Sequence, residues 1–142
     1  MERRVEDFFE KLRAKRVALV GFGVTNNGIA KLLASKGVDV TIHDKKERED
    51  LGAICQEMED AGVKLSVGYN YLRSLNEDVI FRAPGVRFDL PALTAARKEG
   101  KTVTSDLEAF FDLCPCPILG ITGSDGKTTT TTLIAEMLKA EG

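Results

Sequence analysis

The sequence predicts a doubly wound α/β fold, a Rossmann-like five-stranded parallel sheet with helices on both faces. Short apolar runs alternate with segments of helical periodicity along most of the 142 residues. Glycines close the helical segments, as in "ASKG", "EDAG" and "RKEG". The helical segments between the apolar runs are long enough to carry the chain back to the edge where the previous strand began, which parallel neighbouring strands require.

The elements follow in a regular order. Val5, Phe8, Phe9 and Leu12 recur at helical spacing and predict a first amphipathic helix. The predicted strands are "RVALV", "VDVTI", "KLSVG", "DVIFR" and "TVTS". The predicted helices between them are "GIAKLLASKG", "REDLGAICQEMEDAG" and "LPALTAARKEG". The helix "DLEAFFDL" follows the last strand, and Ser105 or Asp106 caps it.

A domain boundary is predicted at "CPCP", because two prolines in four residues cannot continue a helix. We therefore divide the chain into a first domain, 1–113, and the start of a second, 114–142. The second part contains the strand "ILGIT" and the helix "KTTTTTLIAEMLKAEG". The apolar stripe predicted for that helix consists of Leu133, Ile134, Met137 and Leu138. A chain of 142 residues is too short for two complete α/β domains.

Composition excludes several classes of partner. The net charge of -2, with 20 basic and 22 acidic residues mixed throughout, offers no footprint for nucleic acid or anionic lipid. No stretch approaches the roughly twenty apolar residues of a membrane helix, and the segment "MERRVEDFFEKLRAKR" lacks the apolar core expected of a secretion signal. Three cysteines, two of them separated by one proline, favour a reducing cytoplasm and ordinary thiols over a disulfide or a zinc site. The oligomeric state is not predicted.

A phosphate-binding loop is predicted between the strand "ILGIT" and the helix that follows. In "GSDGK", Gly123 and Gly126 permit a sharp turn close to an anion, and Lys127 stands at the helix start. Thr128 lies where its hydroxyl would ligate magnesium. The pattern G-x-x-x-x-G-K-[ST] is not met, since Ile121 lies five residues before Gly126, so a plain glycine-rich turn is the alternative. The later threonines either make hydroxyl contacts or are merely tolerated.

An earlier glycine turn, in "VALVGFGVTNNGIA", follows the first predicted strand. Gly21 and Gly23 stand where a dinucleotide fold presents its phosphate-binding turn, and Asp44 ends the second strand. Asn26 occupies the third glycine position of G-x-G-x-x-G, which weakens a nicotinamide or flavin interpretation. The turn thus predicts either a nucleotide-type ligand or a purely structural bend. His43 is interpreted as a packed or solvated neighbour of Asp44 rather than a catalytic base.

The order of these two turns resembles that of the Mur ligases, the ATP-dependent amino-acid-adding enzymes of peptidoglycan synthesis. The resemblance rests on "VGFGVTNNGIAKLL", the strand end "HD", "APGV", "VTSDLEAFF" and "GITGSDGKTTTTTLIAEML", and covers almost the whole chain. The last stretch is the most specific, because this family's loop has the form T-G-x-x-G-K-[ST]-[ST]. Within the family, the likeness is to the members that add D-glutamate to UDP-N-acetylmuramoyl-L-alanine.

The resemblance implies two binding sites. The UDP part of the precursor would lie against Gly21, Gly23, Val24, Thr25, Asp44, Lys45, Ala83, Pro84 and Gly85. ATP would lie against Gly123, Ser124, Asp125, Gly126, Lys127, Thr128 and Thr129. By the same resemblance, Lys127 would act in catalysis by stabilising charge on the transferred phosphoryl group, and Thr128 would help to position Mg²⁺.

The chain departs from the family pattern at Asn26, Ala83, Ser124 and Asp125. A carboxylate at Asp125 repels phosphate unless it faces magnesium or solvent. The family's metal-binding acids and third domain are not among these residues, so we expect a UDP-binding domain with the beginning of an ATP-binding domain, inactive in ligation alone. The alternatives are a stand-alone Rossmann-like module that binds a nucleotide or sugar nucleotide without catalysis, and a redox NAD domain.

Overall fold

Five parallel strands form one sheet in the order β3-β2-β1-β4-β5. The computed structural model describes residues 2–142, apart from the side chains of Glu2, Val24 and Thr25. The strands are β1 (Arg16–Val20), β2 (Asp39–Asp44), β3 (Lys64–Val67), β4 (Val79–Arg82) and β5 (Thr102–Thr104). The predicted number of strands and their parallel arrangement are confirmed.

Seven helices accompany the sheet in the described part of the chain. They are α1 (Glu2–Arg13), α2 (Val24–Ser35), α3 (Arg48–Leu51), α4 (Ala53–Asp60), α5 (Pro91–Lys98), α6 (Asp106–Leu113) and α7 (Lys127–Glu141). The single helix predicted between β2 and β3 is wrong, because α3 and α4 are separate. Gly52 divides them with φ 58° and ψ −139°, a backbone conformation that side-chain-bearing residues rarely adopt.

The core lies on both faces of the sheet, because side chains alternate along each strand. In β1, Val17 and Leu19 contribute to one cluster, whereas Ala18 and Val20 contribute to the other. The first cluster includes residues of α1, α2 and α4, and the second includes residues of α5. All four of these β1 side chains are fully buried. Helices on both faces are thus confirmed, and burying a side chain as large as Leu19 contributes about 2 kcal/mol.

The start of α6 agrees with its predicted cap. The hydroxyl of Ser105 accepts a hydrogen bond from the N–H of Glu108 at 3.2 Å, which satisfies one free donor of the first turn. The carboxylate of Glu108 in turn accepts from the hydroxyls of Ser105 and Thr104. Of the two capping residues that the sequence allowed, the structure selects Ser105.

The segment after α6 differs from its prediction. Residues 118–122, predicted as a strand, form no strand, because none of the described segments lies beside them to complete a ladder. The helix α7 forms as predicted but buries no residue. Its apolar side chains Leu133, Met137 and Leu138 are 54%, 67% and 61% exposed.

Two expectations from composition concern the whole described chain. Cys55, Cys114 and Cys116 are all free thiols, and only Cys55 is buried. No helix of the described residues combines the length and the apolar character that crossing a membrane requires.

Candidate functional site

A cleft lies at the carboxyl ends of the central strands. The chain runs from β1 outward to β2 and β3 and then crosses back to β4 on the other side of β1. Such a reversal of strand order leaves a crevice at the carboxyl edge, where ligands of open α/β sheets bind. The cleft measures about 220 Å³ and is lined by Gly21, Asp44, Lys45, Tyr71, Gly85, Val86, Arg87 and Leu90.

Four of these lining residues were predicted from the sequence, namely Gly21, Asp44, Lys45 and Gly85. The other four, Tyr71, Val86, Arg87 and Leu90, were missed. Tyr71 lies in a loop without periodic signal, and no rule of spacing marks it. Arg87 had an available signal, because it is a cationic residue two positions after the "APG" turn.

Gly21 shapes the floor of the cleft. Its φ of +101° lies in the region that favours glycine, and its N–H donates to the carbonyl oxygen of His43 at 2.8 Å. A Cβ on Gly21 would lie 3.0 Å from the Cβ of Ala83 and 3.1 Å from Cγ2 of Val86. The turns after β1 and β4 therefore approach each other so closely that a side chain at position 21 would force its neighbours to shift.

The carboxylate of Asp44 is engaged by the protein itself. Its Oδ2 accepts from the N–H of Phe22, and its Oδ1 accepts from the N–H of Lys46 at 2.8 Å. Asp44 is 8% exposed, whereas Lys45 beside it is exposed. This carboxylate holds the turns after β1 and β2 together. Lys45 is therefore the charged side chain at the end of β2 that reaches solvent.

Asn26, which replaces the third glycine of the dinucleotide pattern, is 2% exposed. Its side-chain amide donates to the carbonyl oxygens of Gly21 at 2.7 Å and of Val20 at 3.4 Å. The asparagine thus satisfies two carbonyls where the chain leaves β1. Where a glycine would allow the helix to pack closely on the strand, Asn26 instead stabilises the turn by hydrogen bonds.

The turn after β1 leads directly into α2. Gly23 precedes the helix in an extended conformation, and its carbonyl accepts from the N–H of Asn27 at 3.0 Å. The predicted contacts of the Val24 and Thr25 side chains lie outside the described residues. Their backbone forms the first turn of α2, whose free amides make the carboxyl edge of the sheet suitable for an anion.

The turn at 83–86 forms the opposite side of the cleft. The N–H of Ala83 donates to Val20 at 3.0 Å, and the N–H of Val86 donates back to Ala83 at 3.0 Å. The guanidinium of Arg82 donates to the carbonyl of Val86 at 2.8 Å. Pro84 and Gly85 are exposed at the tip. The predicted residues of this turn are thus brought beside Gly21 by backbone bonds.

His43 lies beneath the cleft and is 2% exposed. Its Nδ1 is 2.7 Å from the carbonyl oxygen of Tyr71, and its Nε2 is 3.0 Å from Oε1 of Glu77. Burial raises the pKa of Glu77, but the hydrogen bond and charge of His43, together with hydrogen bonds from the backbone and Thr41, lower it overall. The interpretation of His43 as a packed residue is confirmed. The imidazole ring of His43 also ties the segment around Tyr71 to β2.

Tyr71 also lines the cleft. Burial, and then the nearby charge of Asp44, raise the pKa of its phenol above the ordinary value. The phenol therefore stays protonated at neutral pH and remains able to donate a hydrogen bond. Its carbonyl also accepts from the hydroxyl of Ser66 at 3.3 Å, so two side chains fix this segment.

The predicted phosphate loop lies before α7 and is exposed throughout. Gly126 begins the helix from a left-handed conformation with φ 75°. The ammonium of Lys127 donates to the carbonyls of Gly123 and, at 3.1 Å, of Ser124. The first bond of the helix joins the N–H of Thr130 to Gly126, so the amides of the preceding turn remain free for an anion.

Magnesium has few protein ligands available here. The described residues contain no group of three or more His, Cys, Asp or Glu arranged for a metal ion. A single hydroxyl at Thr128 fits Mg²⁺ only together with phosphate oxygens, which is a common arrangement for this ion. The hydroxyls of Thr131 and Thr132 donate to the carbonyls of Lys127 and Thr128 within α7, at 2.8 and 2.9 Å, so these two threonines are held by the helix itself.

A parallel sheet with a glycine turn and a cleft at its reversal of strand order defines a Rossmann-like α/β domain. Residues 15–105 match the family model described as the N-terminal domain of MurD-like Mur ligases, and the chain belongs to this family.

Relatives and solved structures agree with this assignment. The UDP-N-acetylmuramoylalanine–D-glutamate ligase of Clostridium botulinum is 48% identical over 143 aligned positions, which cover 100% of this chain and 31% of the relative. The ligase of the same name from Acetivibrio thermocellus is 43% identical over the same shares. The chain therefore spans about a third of the length of these relatives.

Among solved structures, UDP-N-acetylmuramate–alanine ligase MurC from Thermotoga maritima matches with a TM-score of 0.56 and 26% identity, over 88% of this chain and 29% of that one. A murein peptide ligase from Psychrobacter arcticus matches with a TM-score of 0.57 and 23% identity, over 88% of this chain and 26% of its own. This second likeness concerns the fold alone.

Proposed function

We propose that this chain is the N-terminal, UDP-substrate-binding part of an ATP-dependent ligase of peptidoglycan synthesis. The ligase adds D-glutamate to UDP-N-acetylmuramoyl-L-alanine through an acyl phosphate, and it acts in the cytoplasm. The observation that carries the proposal is the convergence of Gly21, Lys45 and Gly85 on one cleft. These residues come from three different strand ends, and the resemblance had assigned all three to the uridine ligand.

In this proposal the cleft binds the UDP part of the precursor. The turns at Gly21 to Thr25 and at Ala83 to Gly85 present backbone to the diphosphate, since both lie at the carboxyl edge of the sheet. Lys45 supplies a positive charge at the end of β2. Asp44 acts through the backbone, because its two oxygens already accept from Phe22 and Lys46.

The loop from Gly123 to Thr129 binds ATP in the same proposal. The free amides at the start of α7 receive phosphate oxygens, and Lys127 moves from the loop carbonyls to the transferred phosphoryl group. Thr128 contributes a hydroxyl to Mg²⁺, and the ATP phosphates supply further oxygens. Asp125 is exposed, so its carboxylate has room to turn to solvent, away from the phosphates.

We further propose that the 142 residues bind without completing ligation, because they span 31% of the length of the relatives. The competing function is a stand-alone module that binds a nucleotide or sugar nucleotide without chemistry. Two observations favour this binding module: the cleft is formed, whereas the loop before α7 is exposed and no strand of the described sheet precedes it.

Titration calorimetry tests the proposal with four ligands, UDP-N-acetylmuramoyl-L-alanine, UDP, NAD and ATP. We expect the two uridine ligands to bind more tightly than NAD, and binding of the precursor to be lost in Gly21→Ala. Gly28→Ala is the matched control, because a Cβ there meets nothing within 4 Å. A preference for NAD, or equal binding of all four ligands, would contradict the uridine site.

ATP binding is tested separately with Lys127→Ala. We expect the substitution to weaken ATP binding by roughly 10- to 100-fold, since a charged hydrogen bond to phosphate contributes roughly 1.5–3 kcal/mol. Lys139→Ala, on the last turn of the same helix, is the control. Equal ATP affinity in Lys127→Ala and the unmodified chain would remove this loop from the proposal.

A further inference from the structure

We propose that Arg87 binds the ligand's phosphates in the cleft and that Asp89 competes with them for its guanidinium. The inference deepens the proposed function, on which it rests, by naming a cationic contact and a competing anion within this chain. Arg87 lines the cleft beside Gly85, immediately after the turn that closes on Gly21.

The charges of the cleft require a cation at this position. Its ionisable charges at neutral pH are the carboxylate of Asp44 and the cations of Lys45 and Arg87. The carboxylate is already bonded to two backbone amides, so neither cation is needed to satisfy it. A diphosphate therefore needs both cations to balance its own charge, and they follow β2 and β4, the two neighbours of β1.

Arg87 is held by a partner that imitates a phosphate. Its Nε donates to Oδ1 of Asp89 at 2.9 Å, and its Nη2 donates to Oδ2 at 2.6 Å. This parallel pair of bonds is the geometry in which guanidinium also binds phosphate. The hydrogen bond raises the pKa of Arg87 and lowers that of Asp89, so both groups are charged at neutral pH.

The ion pair is easily exchanged for a ligand. The side chains of Arg87 and Asp89 are 77% and 64% exposed, and such surface pairs contribute little to stability. Neither residue belongs to a helix or strand, so the guanidinium can turn without disturbing the sheet. Arg82, in contrast, is bonded to the carbonyls of Ala83 and Val86 and holds the turn in place.

The test compares affinities for UDP, uridine and inorganic pyrophosphate by calorimetry at two salt concentrations. We expect Arg87→Ala to weaken UDP and pyrophosphate about tenfold, with a smaller salt dependence, and to leave uridine unchanged. Asp89→Asn is expected to tighten both phosphate ligands about threefold, because it removes a competitor worth little by itself. In the double variant, Asp89→Asn should add nothing to Arg87→Ala.

Matched controls lie at the opposite edge of the sheet. Arg13→Ala removes an arginine that is paired with Glu6, and Asp39→Asn removes a carboxylate that is paired with Lys64 at the start of β2 and β3. Neither should change affinity for the phosphate ligands. Unchanged UDP binding in Arg87→Ala, or weaker binding in Asp89→Asn, would overturn the inference.

The pyrophosphate arm separates the two proposals. Arg87-dependent pyrophosphate binding without any preference for uridine ligands would overturn the uridine site but support the role of Arg87. Preferential binding of uridine ligands that does not depend on Arg87 would support the uridine site but overturn the role of Arg87. Absence of binding by both UDP and pyrophosphate to the unmodified chain would overturn both.

Discussion

The side-chain amide of Asn26 lies 2.7 Å from the carbonyl oxygen of Gly21 and braces the bend at the end of β1. This contact explains how a chain without the third glycine of the dinucleotide pattern keeps its turn. The bond joins the first turn of α2 to the floor of the cleft, so the same residue affects stability and ligand binding.

Asn26→Ala removes this brace and leaves the carbonyls of Gly21 and Val20 without their side-chain donor. We expect a loss of about 1 kcal/mol in the free energy of unfolding, because the part-buried carbonyl of Gly21 loses its side-chain donor, whereas the carbonyl of Val20 keeps the N–H of Ala83. Urea denaturation measures it. Asn70→Ala, at an exposed position, is the control and should change stability by less than about 0.5 kcal/mol. Equal stabilities of the two variants would refute the structural role of Asn26.

Gly21→Ala and Gly28→Ala should act in opposite directions. The first places a Cβ 3.0 Å from the Cβ of Ala83, at a residue whose own φ is +101°. We therefore expect the free energy of unfolding to fall by more than about 1 kcal/mol. The second adds a Cβ to α2 where nothing lies within 4 Å, so we expect a gain of about 0.5–1 kcal/mol. Thermal denaturation of both variants checks the sign, and destabilisation by Gly28→Ala would contradict the geometry.

The His43–Glu77 pair should make the fold sensitive to acid. The pKa of Glu77 is lower in the folded chain than in the unfolded chain, so its contribution is complete above the unfolded pKa of about 4.3. That contribution is lost as the pH falls through the lower, folded pKa. Melting temperatures between pH 7 and pH 3 should therefore fall less steeply for Glu77→Gln than for the unmodified chain.

Glu10→Gln, at an exposed position of α1, is the control for that experiment and should leave the pH profile unchanged. At neutral pH, Glu77→Ala should lower stability by about 3 kcal/mol, because it leaves a buried imidazole without its partner. A profile of Glu77→Gln that is parallel to the unmodified chain would show that this carboxylate does not govern acid stability.

Ser105→Ala should remove the cap of α6. We expect the free energy of unfolding to fall by about 1 kcal/mol, the usual effect of deleting a capping hydroxyl. Ser105→Asp should restore most of the stability, since aspartate accepts the same bond from Glu108 and its charge is favourable at a helix start. Failure of Ser105→Asp to restore stability would point to another role of the hydroxyl, such as its bond to the Glu108 carboxylate.

The sequence was sufficient where local patterns decide the outcome. Alternating apolar runs predicted the five strands, and the resemblance to the Mur ligases assigned Gly21 and Gly85 to one site; both residues line one cleft. It was insufficient where distant partners decide. Residues 118–122 have strand composition but no neighbouring strand, and Gly52, which falls inside the predicted helix "REDLGAICQEMEDAG", divides two helices instead.

The side-chain roles were harder to predict than the elements. Asn26 looked like a weakened glycine motif, although it acts as a hydrogen-bond donor to the same turn. Asp44 resembled a ligand-binding acid, but its oxygens are bonded to backbone amides. Sequence spacing gives the position of a residue along the chain, whereas these roles depend on the direction of its side chain in the folded state.

The cleft takes its lining from residues 21, 44, 71 and 85, which no short segment of the chain contains together. A molecule seated there would contact the ends of β1, β2 and β4 at once and would bind the unfolded chain far less well. Occupancy should then slow the exchange of amide hydrogens throughout the central strands, not only in the loops that touch the molecule.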